Sequence, residues 1–202
     1  MKTFLTYGLA AAFVTLVTVL LVSQTFDTKW LGGLGPVPVC AATDMTDPAK
    51  TFERGAILQT GTDGYAKYRL CDGTIVYFDH DTQVKLTQYR QPEAQTETQL
   101  TLIQGRIIVD GVADIQTRNT RVSTRGAGCE LVHYSWLDQV DVTPLSPLGC
   151  QLASSNQALQ TLTTTRLNTF TDEILQTQKF TPATSAAFEF YQYTGLQFET
   201  LE

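Results

Sequence analysis

Apolar and polar residues alternate through most of Gly55 to Val109, and a period of two predicts β-strands. Ala56-Ile57-Leu58 opens a strand that Thr60-Gly61-Thr62-Asp63-Gly64 turns. Ala66, Tyr68 and Leu70 then share one face. Asp72-Gly73 sits between two alternating runs, which is a hairpin signal because Gly takes a positive φ without steric cost. A two-residue turn would set Leu70 opposite Ile75. The expectation is instead a three-residue loop with Gly73 at a bulge, setting Leu70 opposite Val76 and Tyr68 opposite Phe78 and keeping Val76 and Phe78 on the core face.

Val84 and Leu86 mark a further strand, and Tyr89 to Thr98, with Pro92, reads as a polar loop. Leu100 to Val109 reads as a strand pair kinked at Gly105, with a turn at Gly111. Val112 to Ile115 and Arg121 to Thr124 follow as short strands, and Gly126-Ala127-Gly128 is expected to break the second. Leu131 to Trp136 and Val140 to Val142 read as the last strands, closed by Pro144 and Pro147. From Ser154 the period changes. Leu159, Leu162, Leu167, Phe170 and Ile174 fall at helical spacing, capped by Ser154 or Ser155, although the threonines 163–165 weaken helix propensity. Thr181-Pro182 then reads as the cap and first residue of a second helix carrying Phe188, Phe190 and Tyr191 and ending near Gly195.

The N-terminus changes the picture. Phe4 to Phe26 carries no charge, and its apolar core is long enough to span a hydrocarbon layer of roughly 30 Å as a helix. Lys2 precedes it, which places the N-terminus inside and the bulk of the chain outside the cytoplasm as a single-pass protein. No small residues sit at the cleavage positions just after Val22, so an uncleaved anchor is expected rather than a removed signal peptide. Gly8 and the alanines 10–12 would also permit close helix contact within a membrane. Asp27 to Lys50, with LGGLGPVPV, reads as a spacer. The organisation expected is therefore an anchor over 1–26, a spacer over 27–50, a β domain over 51–150 and a helical region over 151–202.

Composition narrows the function. Charged residues are only 17% of the chain and the net charge is −6, which argues against nucleic acid as a partner. The four cysteines, Cys40, Cys71, Cys129 and Cys150, all follow the apolar run, and in an exported segment they are disulfide candidates. Three connectivities are open; the short loops favour Cys129–Cys150 with Cys40–Cys71. Cys129 and His133 have the spacing of a metal-ligand or nucleophile–base pair, but zinc needs about four ligands and a disulfide with an ordinary His is the plainer reading. His80 between Asp79 and Asp81 reads as a solvated turn, and Arg106 as a surface strand residue. Asp72 and Gly73 are turn formers. Tyr134, Trp136, Phe188 and Tyr191 form a candidate binding patch for a protein or an envelope glycan, with core packing the commoner fate of such rings. No catalytic residue, metal site or cofactor site is assigned.

One set of motifs resembles a known family. Thr60-Gly61, Gly64-Tyr65-Ala66, Leu70 with Asp72-Gly73-Thr74, Val76 and Phe78, Thr82 to Leu86, Leu102-Ile103-Gln104-Gly105-Arg106-Ile107 and Val122-Ser123-Thr124 are together similar to the FecR domain, over roughly residues 55–125. The resemblance implies an exported, mainly β fold of stacked short strands, roll- or solenoid-like, with no catalytic residues. Gly126-Ala127-Gly128-Cys129-Glu130-Leu131 stands where the family usually has Gly-Thr and an aromatic residue. Regulatory members carry a sigma-controlling helical region before the membrane segment; only Met1, Lys2 and Thr3 precede the apolar run here, so that half is expected to be absent. The function expected is a membrane-anchored, non-catalytic binding or envelope-signalling module, with a glycan-binding module or a Cys/His or metal-dependent hydrolase as alternatives. An uncleaved anchor predicts that the chain stays in the membrane pellet after alkaline carbonate washing; release into the supernatant would contradict it.

Overall fold

A computed structural model describes residues 42–70, 72–88, 98–147, 149–181 and 187–196. The expected anchor and most of the spacer lie outside them, as do Cys40, Cys71 and most of the polar loop with Pro92. No described helix is long and apolar enough to cross a membrane. The described residues are mainly β: thirteen strands in one sheet and one short helix.

Two long strands organise the rest. β7 (Gln99–Thr117) and β8 (Thr120–Tyr134) form an antiparallel hairpin turned at Arg118-Asn119. Each outer edge of this hairpin is shared by two partners. Along β7, the first half pairs with β6 (Gln83–Gln88) and the second with β5 (Ile75–Phe78). Along β8, the start pairs with β10 (Cys150–Leu152) and the end with β9 (Gln139–Pro144). The layers grow outward from there. β3 (Ile57–Gln59) adds to β6; β4 (Ala66–Arg69), β1 (Ala42–Asp44) and β2 (Thr51–Phe52) continue from β5. β11 (Gln157–Ala158) adds to β10, while β12 (Thr163–Asn168) and β13 (Ile174–Lys179) continue from β9.

Glycines make the bends in the spine. Gly105 (φ 90°) lies between the two partners of β7, where a Cβ would stand 2.4 Å from Thr82 Oγ1 and 2.6 Å from Thr82 Cα. Thr82 Oγ1 fills that gap, donating to the Arg106 carbonyl and accepting from the Arg106 N–H, each at 3.0 Å. Gly111 (φ 139°) repeats the arrangement, with the site of its missing Cβ 2.6 Å from Thr74 Oγ1. The inward positions shift phase at Gly105 and keep it past Gly111: Leu100 and Leu102, then Ile107 and Val109, then Ala113 and Ile115 are all buried. They join Leu58, Tyr68, Val76, Phe78, Val84, Leu86, Leu131 and Val142 in one core. A second, smaller cluster lies under helix α1 (Phe188–Thr194), where Phe190 and Tyr191 pack with Tyr77, Ile108 and Leu145.

Several expectations are corrected. β7 is one strand, not a kinked pair, and Gly111 lies inside it at a register shift against β8 rather than in a turn. β8 runs through Gly126-Ala127-Gly128 without a break, because Gly128 (φ 79°) bends the chain past Leu145. A stack made only of short strands therefore gives way to short strands hung on a long hairpin. In the Asp72-Gly73 hairpin the loop does have three residues and Gly73 is at φ 91°, but Tyr68 faces Val76 and Ala66 faces Phe78. Leu70 N–H donates to the Thr74 carbonyl, closing the loop one pair earlier than expected. Ala42–Asp44, expected in the spacer, is a strand with Ala42 fully buried.

The first C-terminal helix is replaced by strands. Its β-branched threonines 163–165 sit in β12, where branched side chains pack well. Leu159 and Leu167 are buried while Phe170 and Ile174 are exposed, so their helical spacing reflects successive strands and turns. Of the second helix, the described part runs Phe188–Thr194 after an Ala187 N-cap, and Gly195 ends it in the left-handed conformation; the expected start at Pro182 lies outside the described residues.

The bend predicts a ranked pair of substitutions. Gly105→Ala adds both backbone strain and collision with the Thr82 backbone and should cost about 2–4 kcal/mol in denaturant unfolding. Gly73→Ala, at a similar φ but with open space around it, should cost only about 1–2 kcal/mol. Equal costs would show that the close approach at Gly105 carries no weight.

Candidate functional site

Three turns meet at one end of the sheet. They are the β7–β8 turn at Arg118-Asn119, the β8–β9 turn at residues 135–138 and the β12–β13 turn at residues 169–173. Backbone hydrogen bonds stitch them: Asn119 N–H donates to Thr169 O (3.1 Å), and Thr169 N–H donates to Asp138 O (2.8 Å). The Asn119 side-chain amide donates to Phe170 O at 3.2 Å. Arg118 pairs with Asp138 at 2.6 Å and lays its guanidinium over the Phe170 ring, 4.4 Å from the centroid. On this platform Trp136 is 76% exposed, Leu137 53% and Phe170 52%. Tyr134 lies beneath, its ring edge-on to Trp136 at 6.0 Å and covered by Arg166, which forks onto both Asp141 oxygens at 2.7 Å. Burial pushes the Tyr134 hydroxyl pKa up. Each large apolar side chain gains about 1.5–3 kcal/mol on full burial, so a partner covering these three would be held by several kcal/mol.

A charged network lies on the outer face under α1. Arg106 Nη1 donates to Asp79 Oδ2 at 2.9 Å, and its Nε lies 3.2 Å from Glu130 Oε1. Tyr191 hydroxyl donates to the same Glu130 oxygen at 2.5 Å, tying the helix to β8. His80 reaches the other Asp79 oxygen at 2.7 Å. Burial raises the Glu130 pKa against the opposing pull of Arg106, Tyr191 and Thr143. Burial works against the Arg106 charge, but Glu130, Tyr191 and Asp79 more than offset it and hold its pKa up. Arg106 is thus a half-buried cation held in ion pairs rather than a free surface residue. Asp79, Glu130 and Tyr191 find their partners within the fold, while the buried Arg106 Nε has an ion-pair contact but no hydrogen bond, which marks a latch for α1 rather than a reactive centre.

Residues 56–141 match the FecR protein family. This stretch is similar to the FecR domain. Two crystal structures of a candidate anti-sigma factor from Parabacteroides distasonis ATCC 8503 are similar to it, at 17% and 15% identity with TM-scores of 0.47 and 0.48. Each alignment covers 62% of this chain and 60% of the other. No curated protein matches. Within the FecR match lie the β7–β8 hairpin and the turn bearing Trp136 and Leu137; Phe170, β12, β13 and α1 lie beyond it.

The fold places the other candidate residues as follows. Cys129 and Cys150 are bonded, S–S 2.08 Å, linking β8 to β10 and leaving Cys129 neither nucleophile nor ligand. His133 is buried on the inner side, with Nδ1 3.0 Å from Leu102 O and Nε2 without a hydrogen-bond partner among the described residues. No cluster of metal-ligating residues occurs among the described residues. Asp72 caps its own loop, accepting from Thr74 N–H at 2.8 Å and from the Thr98 hydroxyl. With Gly73, Thr74, Ile75, Asp110, Gly111 and Val112 it lines a shallow open cleft of about 360 Å³. The four-residue aromatic patch is not one surface. Tyr134 and Trp136 meet at the three-turn end, Phe188 is an exposed helix residue, and Tyr191 is buried against Phe180 and Phe190. Arg118, Leu137 and Phe170 were not singled out; large apolar residues in turns rich in Asp and Asn were the available signal.

Burial holds the His133 pKa below its ordinary value of 6.5. As pH falls through that value the unfolded chain takes up the proton first, so stability present above it is lost on acidification. Glu130, whose pKa is raised by burial, acts in the opposite sense and is common to the native chain and the variant. The stability gap between the native chain and His133→Gln should therefore narrow as pH drops from about 7 to about 5. A gap independent of pH, measured by denaturant unfolding, would contradict a buried neutral imidazole.

Proposed function

We propose that this chain is a membrane-anchored FecR-domain protein whose domain lies outside the cytoplasm and holds a protein partner, as a non-catalytic module of envelope signalling or scaffolding. The observation that carries the reading is the concentration of Trp136, Leu137 and Phe170 at the stitched three-turn end. Exposed apolar side chains held on a rigid polar frame are the usual anatomy of a protein-binding face, and Trp and Arg are enriched at its energetic centre. The FecR match at residues 56–141 supports the regulatory class, and the Cys129–Cys150 disulfide agrees with an oxidising compartment. The uncharged run from Phe4 to Phe26 supports the anchor.

A second reading has its own support. Trp136 is the most exposed large apolar side chain described, and an indole standing beside Tyr134 suits stacking on a sugar ring. A photo-crosslinker placed at position 136 of the full chain separates the two in cells. The protein reading expects a discrete protein adduct that is lost from a Trp136→Ala background probed at Leu137, with an unchanged melting temperature. An adduct indifferent to Trp136 would refute it, and retention on isolated cell wall that free sugar competes away would favour the glycan.

A further inference from the structure

Among the described residues β13 ends the sheet. It pairs there with β12 on one side only, and all six of its residues are exposed. Phe180 N–H donates to Leu162 O, so the alternation of an antiparallel ladder turns Gln178 and Gln176 toward β12 as well. Thr177 and Lys179 consequently point their backbone N–H and C=O away from the sheet. Natural edges are blunted by proline, by inward charge or by a covering element. β13 contains no proline and one charge, Lys179, and it exposes Ile174 and Leu175 at 48% each.

The strand is self-complementary when read in the antiparallel sense. Around Thr177 the order is Leu175-Gln176-Thr177-Gln178-Lys179, with Glu173 just before it. Pairing centred on Thr177 sets Thr177 opposite itself, Gln176 opposite Gln178 and Leu175 opposite Lys179. Lys179 then lies diagonal to Glu173 of the second strand, within reach of long side chains, and the contact occurs twice by symmetry. Lys179 forms no ion pair among the described residues, and Glu173 is exposed. The register one residue further along would bring the two lysines from about 13 Å to about 7 Å apart along the strands, which like charge disfavours.

We propose that β13 pairs with β13 of a second copy of this chain, antiparallel and two-fold symmetric, with Thr177 on the axis. One added strand pair is a small interface, so the association is weak and concentration-dependent. The test is sedimentation velocity of the full chain over a wide concentration range, alone and as Thr177→Lys and Thr177→Glu. Either variant sets like charges opposite each other at the axis and should raise the dimer dissociation constant by at least about tenfold, with the melting temperature unchanged. Mixing the two variants sets Lys opposite Glu and should restore a heterodimer, which also shows that both fold. A chain that stays monomeric at every concentration, a dimer that ignores both variants, or a mixture that fails to recover association would overturn the proposal.

Discussion

A missing methyl group at Gly105 allows the fold to close. The strand before it and the strand after it serve different partners, and the corner at Thr82 passes so near that a side chain has no room. The Thr82 hydroxyl turns that proximity into two hydrogen bonds to the Arg106 backbone. Gly111 and Thr74 repeat the close approach further along β7, where the Thr74 hydroxyl donates to the Val112 carbonyl at 3.3 Å. Because both bends lie in β7, the hairpin that β7 makes with β8 carries the curvature to every other strand. It also brings the hairpin tip at Arg118-Asn119 against Thr169 and Asp138, and so creates the end on which Trp136 stands.

The β class and many strand positions were legible in the sequence because half-buried strands alternate. Ala66 and Tyr68, Val84 and Leu86, and Leu100 and Leu102 all show the pattern and are all buried. The long spine was not legible. Glycines at 105, 111, 126 and 128 look like stops, since a strand-interior glycine ordinarily weakens a strand, and only the neighbours of Gly105, Gly111 and Gly128 across the sheet reveal those three as bends. The C-terminal error has a related cause. Leu159, Leu162, Leu167, Phe170 and Ile174 satisfy a helical period, yet Leu162 (φ 52°) and Asp172 (φ 60°) turn the chain between short strands. The β-branched threonines were the better guide there.

The candidate surface was half legible for a different reason. Tyr134, Trp136, Phe188 and Tyr191 are alike as sequence symbols, and their fates depend on what lies across the fold. Tyr191 found a buried carboxylate and turned inward, while Trp136 fell in a turn with no strand above it. Arg106 shows the same dependence. It reads as an ordinary strand cation until Asp79 and Glu130, 27 residues before it and 24 after, are seen converging on it.

The stitching of Asn119 to Thr169 has a consequence for the order of folding. The FecR match ends at Asp141, but the tip of its central hairpin is tied to residues that follow it by almost thirty positions. β9 likewise waits for β12 to supply its outer partner. A chain emerging from the ribosome N-terminus first cannot close this sheet until Phe170 has been made. Contacts so distant in sequence demand loop closure before they return any stability, so folding is slow and late. This end of the sheet therefore cannot lock until the C-terminal strands have been made, and a nascent chain holds its central hairpin without its final partners.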